Sequence, residues 1–221
     1  MMATLTLAAL KIAAKEYIAR MDGSPIPELF GVTDGKAVGT YVEQNFTLYL
    51  QERFSFKPGN SASGIDFPDL NVDLKVTSIK QPQSSCPYRD SSQKVYGLGY
   101  HLLVFVYEKA DDSAQKVSTL KFHRAILVDE GRTGDYPTTT GLQKILDNDG
   151  IVDDIAAFLE ERNLQLDEVG RLALAERILL ERPATGYLTV SNALQWRLQF
   201  GRVVKLTGGD EIIDGIYDLL A

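Results

Sequence analysis

The chain predicts a mixed α/β fold, a β-sheet flanked by helices, followed by a mostly helical C-terminal lobe. Three observations predict it. Apolar residues recur at helical spacing near the N-terminus, Val72–Val76 alternates at the two-residue period of a strand, and His101–Tyr107 is a continuous apolar run. Such a run is what a strand buried on both faces looks like. The order helix, strands, helix, strands is that of a sheet covered by helices.

Thr4–Arg20 places Leu7, Leu10, Ile12, Ala14, Tyr17 and Ile18 at helical spacing, and a Gly/Pro-rich link from Asp22 to Gly35 follows. Lys36–Phe54 is a second helix, with Val38, Tyr41, Val42, Phe46, Leu48, Tyr49 and Phe54 on its apolar face. Lys57-Pro58-Gly59-Asn60-Ser61 breaks it and leads into a hairpin, where Ile65-Asp66-Phe67 faces Val72–Val76 across the turn Pro68-Asp69-Leu70-Asn71. Ser84–Asp90 is a polar loop, and Ser91 is placed to cap a short helix through Tyr100. Asp111-Asp112-Ser113 is a turn between the apolar run and a strand at Leu120–Val128, and Gly131–Gly141 is read as a flexible loop.

The text then changes. Leu142–Leu146, Ile151–Arg162 and Leu166–Leu180 have helical spacing, Gly186–Val190 is strand-like, and Ser191 is expected to cap a helix over Asn192–Phe200. Val203–Leu206 and Ile212–Leu220 finish the chain. This change divides it into a core, residues 1–141, and a lobe, residues 142–221, the latter a region for recognition or dimerisation.

The 221 residues are 44% apolar and 24% charged, the composition of a globular protein. A net charge of −7 argues against a general polyanion-coating protein but permits a local basic groove. The single cysteine, Cys86, rules out an internal disulfide framework and a multi-cysteine zinc site. Lys11 and Lys15 interrupt the apolar N-terminal stretch, so neither a secretory signal nor a membrane span is expected, and cytoplasmic residence is.

The chemistry concentrates in Gly64–Ser78. Asp73 and Lys75 are two apart on a strand and project from one face, while Val72, Leu74 and Val76 project from the other. Pairing Pro68 with Asn71 sets Asp66 opposite Asp73, so two carboxylates and an ammonium gather on one face. Opposed carboxylates are costly unless a cation joins them, and oxygen-rich sites favour Mg²⁺.

This arrangement resembles the active-site hairpin of the PD-(D/E)xK nuclease superfamily, the fold of many type II restriction endonucleases. The resemblance covers residues 36–128 as a pattern and is most specific in 64–78. It implies a restriction-endonuclease-like core in which Asp66 is the first acid, Asp73 the second, and Lys75 orients or activates the attacking water. Asp66 and Asp73 would hold Mg²⁺, with the carbonyl of Leu74 as a further ligand. The pair Pro68-Asp69 matches the superfamily's name, but only three residues separate Asp69 from Asp73, which leaves Asp69 inside the turn. Members often carry a glutamate on the preceding helix, and Glu43 is its candidate, with Glu52 competing and Glu28 lying in the upstream link; Glu43 is otherwise a residue of an exposed helix face. Gln93 resembles a polar residue that some members place near the scissile phosphate.

Lys80, Gln81, Gln83, Ser84, Ser85 and Arg89, just beyond the strand, carry groups that hydrogen-bond phosphates or base edges. Thr77 shares the face of Lys75. Asn192, Gln195, Arg197 and Gln199 on the Ser-capped segment form a second candidate DNA contact, although Leu194, Trp196 and Leu198 there suit a core or dimer surface. No phosphate loop, calcium loop, Gly-x-Ser-x-Gly or dinucleotide fingerprint is present, and His101 and His123 are isolated in strand-like text.

The resulting expectation is a Mg²⁺-dependent, sequence-specific type II restriction enzyme that cuts double-stranded DNA to 5′-phosphate and 3′-hydroxyl ends. One site per chain cuts one strand, so a homodimer is expected. The alternatives are a structure-specific or repair nuclease of the same superfamily and a non-cleaving DNA-binding module with the same fold.

Overall fold

The N-terminal strand β1 (Ala3–Thr4) runs into helix α1 (Leu7–Met21), which begins where the Thr6 hydroxyl accepts the Ala9 N–H. Leu10, Ala13, Ala14, Tyr17 and Ile18 are its buried stripe. Asp34 opens α2 (Gly35–Gln51) in the same way by accepting the Lys36 N–H, and α2 buries Val38, Val42, Phe46, Tyr49 and Leu50. The short β2 (Phe54–Ser55) pairs in parallel with β1. In this computed structural model the described residues are 2–59, 64–86, 89–191, 197–209 and 211–221.

Pro68–Leu70 forms a single 3₁₀ turn, and Asn71 follows in the left-handed region at φ 54°, which asparagine tolerates better than most residues. That residue turns the chain into β3 (Val72–Ser78). After β4 (Gln83–Ser85) and the short α3 (Gln93–Tyr96) come the two long strands, β5 (His101–Asp112) and β6 (Val117–Val128). Then come α4 (Tyr136–Asp147), α5 (Val152–Glu161), α6 (Glu168–Leu180), β7 (Thr189–Val190), β8 (Arg197–Gln199), α7 (Gly201–Leu206) and β9 (Ile216–Asp218).

The main sheet has the order β3-β5-β6-β9, with β3 parallel to β5 and the other pairs antiparallel. Alternation along β5 decides what lies on each face. Leu103, Phe105 and Tyr107 join α1, α2, Val72 and Leu74 in one core. Leu102, Val104 and Val106 face the other way, toward Leu188, Val190, Leu198, Phe200 and Val203. The latter side is covered by a second, three-stranded sheet of order β4-β8-β7. Helices α4 to α6 enclose a third cluster around Leu142, Ile155, Leu159, Ala175 and Ile178. The predicted mixed α/β sheet flanked by helices is therefore present, and β3 forms its edge.

Four local expectations are corrected. Ile65-Asp66-Phe67 is not a paired strand; the register predicted for it survives in one bridge, Phe67 to Val72, because the 3₁₀ turn carries the chain away from the ladder. The supposed flexible loop Gly131–Gly141 holds a 3₁₀ turn and the first turn of α4, nucleated by Asp135, which accepts the Thr138 N–H, and by Pro137 in the first turn. Ser91 does not cap α3; its hydroxyl donates to the Gln165 carbonyl, and the helix begins after Ser92. The helix expected over Asn192–Phe200 is replaced at Arg197–Gln199 by β8, which pairs with both β4 and β7.

Phe105 is fully buried and packs edge-on against Phe46 at 5.2 Å between ring centroids. Phe105→Ala should cost about 3–5 kcal/mol in urea unfolding, a loss split between transfer and cavity terms.

Candidate active site

β3 presents its two faces to different surroundings. Val72 and Leu74 sink into the helix-side core, while Asp73, Lys75 and Thr77 point toward the small sheet. Asp73 is 2% exposed, an unusual place for a carboxylate. Lys75 Nζ stands 2.7 Å from Asp73 Oδ2, but off the direction of a hydrogen bond, so this buried oxygen accepts no hydrogen bond of good geometry.

The open side of β3 receives Asp66. Its Oδ2 accepts the Leu74 N–H at 2.8 Å, so a side chain takes the place of a neighbouring strand. The N–H and C=O of one strand residue point to the same side, so the Leu74 carbonyl faces this same edge. Asp66 is held in turn by its own carbonyl, which accepts the Gly59 N–H at 2.7 Å. Gly59 is needed for that approach, because a Cβ there would lie 1.9 Å from the Ile65 carbonyl oxygen.

Glu43 reaches the group from α2, which packs along β3. Burial, then the nearby Asp66, push its pKa up, with Lys75 opposing. Glu52 instead pairs with Arg53 at the far end of the helix, and Glu28 lies in the 3₁₀ turn Pro27–Leu29. Burial pushes the Asp73 carboxyl up to about 7; Lys75 pulls it down and Asp66 adds to the rise. Burial alone would depress Lys75, but Asp73, Asp66 and Glu43 together hold its ammonium above the ordinary lysine range. The structure thus brings Glu43, Asp66, Asp73 and Lys75 into one electrostatic group.

The donors available to a metal here are hard oxygens: Asp66, Asp73 and the Leu74 carbonyl. A buried carboxylate oxygen without a well-directed partner fits a small divalent cation. Among the described residues no three side chains of the His, Cys, Asp and Glu types form a ligand cluster, so an ion at this edge would complete its shell with backbone oxygen, water and substrate.

A cleft of about 1010 Å³ opens over the group. Glu43 and Lys75 line it, as do the predicted Lys80, Gln81, Gln83, Ser84, Ser85 and Arg197. Five cationic side chains (Lys36, Lys75, Lys80, Lys109 and Arg197) face three acids, so the cleft is basic on an acidic protein. Arg89 and Gln93 lie outside it. Gln93 is buried, donating to the Leu98 carbonyl and accepting the Arg89 N–H, so both ends of its amide are occupied. Asn192 and Gln195 fall outside the described residues. Sequence reasoning missed Lys36 and Lys109, and it set Gln199 on a helix rather than on a strand. The first two are single lysines with no motif, but Gln199 had a signal: Trp196, Leu198 and Phe200 alternate with Arg197 and Gln199 at the period of a strand.

A family model described as Type II restriction enzyme NspV matches residues 4–218. The chain is 52% identical over 216 residues to the type II restriction enzyme NspV of Nostoc sp. (strain ATCC 29411 / PCC 7524), covering 98% of both. No solved structure matches it.

The raised Asp73 pKa has a consequence for stability. With divalent ions absent, its contribution is complete below the ordinary carboxylate range and is lost as the pH rises through about 7. Asp73→Asn carries no such proton, so urea unfolding from about pH 4 to about pH 8 should give a flatter profile than the parent. An unchanged slope would place the proton on another group.

Proposed function

We propose that this chain, which belongs to the NspV family of type II restriction enzymes, hydrolyses phosphodiester bonds of double-stranded DNA at a specific sequence with Mg²⁺ as its cofactor. The family makes it a type II site-specific deoxyribonuclease with a restriction-endonuclease-like α/β fold. The observation that carries the finer reading is the buried Asp73 with the half-buried Asp66 and Lys75 around it at the open edge of β3, beside a basic cleft. We assign it to a cytoplasmic restriction–modification system, acting as a homodimer with residues 142–221 contributing to recognition or dimerisation. Among the described residues no helix is long and apolar enough to cross a membrane.

In this reading Asp66, Asp73 and the Leu74 carbonyl hold the ion, which when bound would neutralise charge on the phosphate and make water a nucleophile near neutral pH. The chain's own residues do the rest. The Lys75 ammonium sits beside the place where negative charge develops, and the acids around it keep it protonated against the opposing effect of burial. Glu43 faces it across the edge of β3, placed to orient water on that side. Lys36, Lys80 and Lys109 draw the sugar–phosphate backbone into the cleft and fix its register without reading sequence. The buried Asp73 is what a non-cleaving binder would have least reason to keep, since an uncompensated interior charge is costly.

Plasmid DNA incubated with the protein should give discrete bands with Mg²⁺ and none with EDTA. Asp73→Ala should abolish cutting, a loss of about a thousandfold or more, while leaving the circular-dichroism spectrum intact. Mg²⁺ should also raise the Tm of the parent and not of Asp73→Ala. A fully active variant would remove Asp73 from the mechanism, and smearing in place of bands would favour a nuclease without a fixed site.

A further inference from the structure

The three-stranded sheet β4-β8-β7 has one buried face and one open face. Leu198 and Val190 point into the core. The register sets Gln83 opposite Gln199, Gln199 opposite Thr189, and Ser85 opposite Arg197, so all five side chains stand on the open side. Arg197 and Gln199 are exposed, as is Ser85. Among the described residues the side chains of Gln83, Arg197 and Gln199 make no hydrogen bond or ion pair, although many other arginines of this chain are paired.

We propose that this open face is the base-reading surface of the enzyme, with Gln83, Arg197 and Gln199 hydrogen-bonding base edges in the major groove of the DNA. The inference rests on the nuclease reading above and assigns to it a specificity determinant.

The chemistry of the three residues supports it. Glutamine donates and accepts in the pattern of adenine N7 and N6, and the arginine fork matches guanine O6 and N7. A two-stranded β-ribbon fits the width of the major groove, and the antiparallel pair β4-β8, which carries all three residues, is of that width. Position supports it too. Gln83, Ser85 and Arg197 line the same cleft as Glu43 and Lys75, so a duplex whose phosphate lies over the acids brings its bases to this sheet. Thr77 fastens the two together: its hydroxyl accepts the Gln83 N–H at 3.0 Å, two residues along β3 from Lys75. Phe200 N–H, bonded to the Pro82 carbonyl at 2.8 Å, closes the other side of that joint. The spare cations Lys36 and Lys80 lie elsewhere in the cleft, where backbone contact is enough.

The test reads sequence preference by binding, apart from cutting. Random duplexes are selected by the parent in EDTA, and the enriched and scrambled duplexes are then titrated in parallel against the parent, Gln83→Ala, Gln199→Ala, Arg197→Ala and Arg197→Lys, with Arg182→Ala as a surface control. Each of the first three variants, and Arg197→Lys with its charge kept but its fork lost, should lower the ratio of enriched to scrambled affinity by about tenfold or more. Affinity for scrambled duplex should hardly move in Gln83→Ala, Gln199→Ala and Arg197→Lys, and the control should match the parent. Equal loss on both duplexes would make these phosphate contacts and overturn the proposal, as would an unchanged ratio or a parent that enriches no sequence. A parent that enriches a sequence through these residues yet never cuts with Mg²⁺ would support the reading face and overturn the nuclease assignment.

Discussion

The site depends on a carboxylate being kept inside the protein at the edge of its sheet. Asp73 is forced there by strand periodicity: Val72 and Leu74 are claimed by the core around α1 and α2, so the residue between them must point to the opposite face, which the small sheet covers. Burying a lone carboxylate is costly, and the structure offsets the cost with Lys75 at 2.7 Å. Asp66 would worsen it, yet Asp66 is tied in place by the Leu74 N–H and by the Gly59 N–H. Two neighbouring acids raise each other's cost of ionisation, and Lys75 is the positive charge that the chain itself sets beside them. The same tension keeps Lys75 charged, because three acids surround a group that burial alone would strip of its proton.

How much of this was legible depends on whether side chains or backbones make the contact. The face-sharing of Asp73 and Lys75, and the opposite fate of Val72 and Leu74, follow from period two alone and needed no structure. The register that sets Asp66 against Asp73 was also readable, since the Phe67–Val72 bridge keeps it. The form of the contact was not readable. Asp66 meets Leu74 through its carboxylate, after Pro68–Leu70 coils into a 3₁₀ turn, and hydrophobic patterning contains no term for a side chain that replaces a strand. Glu43 could be named from the helix before the hairpin, but choosing it over Glu52 required the packing of α2 along β3.

The C-terminal segment was misread for a different reason. Ser191 before a polar run looks like a helix cap, and a cap is a local signal; the alternation of Leu198 and Phe200 with Arg197 and Gln199 is equally local and points to a strand. What decides between them is distant, for β8 exists only because β4 and β7 lie on either side of it. Asp135 shows the converse. Its cap signal was strong but sat in a Gly/Thr-rich stretch, and its buried carboxylate also accepts the Val190 N–H at 2.8 Å, so one residue starts α4 and anchors β7.

That distant pairing has a functional side. An acidic protein can hold DNA only where its charge is locally reversed, and the cleft over β3 is such a place, with lysines from α2, β5 and the turn after β3 converging on it. Positive charge alone would bind any sequence equally well. Discrimination needs donors and acceptors that are unsatisfied until the right bases arrive, and the open face of β4-β8-β7 holds such groups next to the acids. Thr77 bonds Gln83 and lies two residues from Lys75, so the small sheet is fastened directly to β3. On the proposed roles, reading and cutting are parts of one strand's geometry, and a base mismatch would act on the reaction by misplacing the phosphate relative to Asp73 and Lys75.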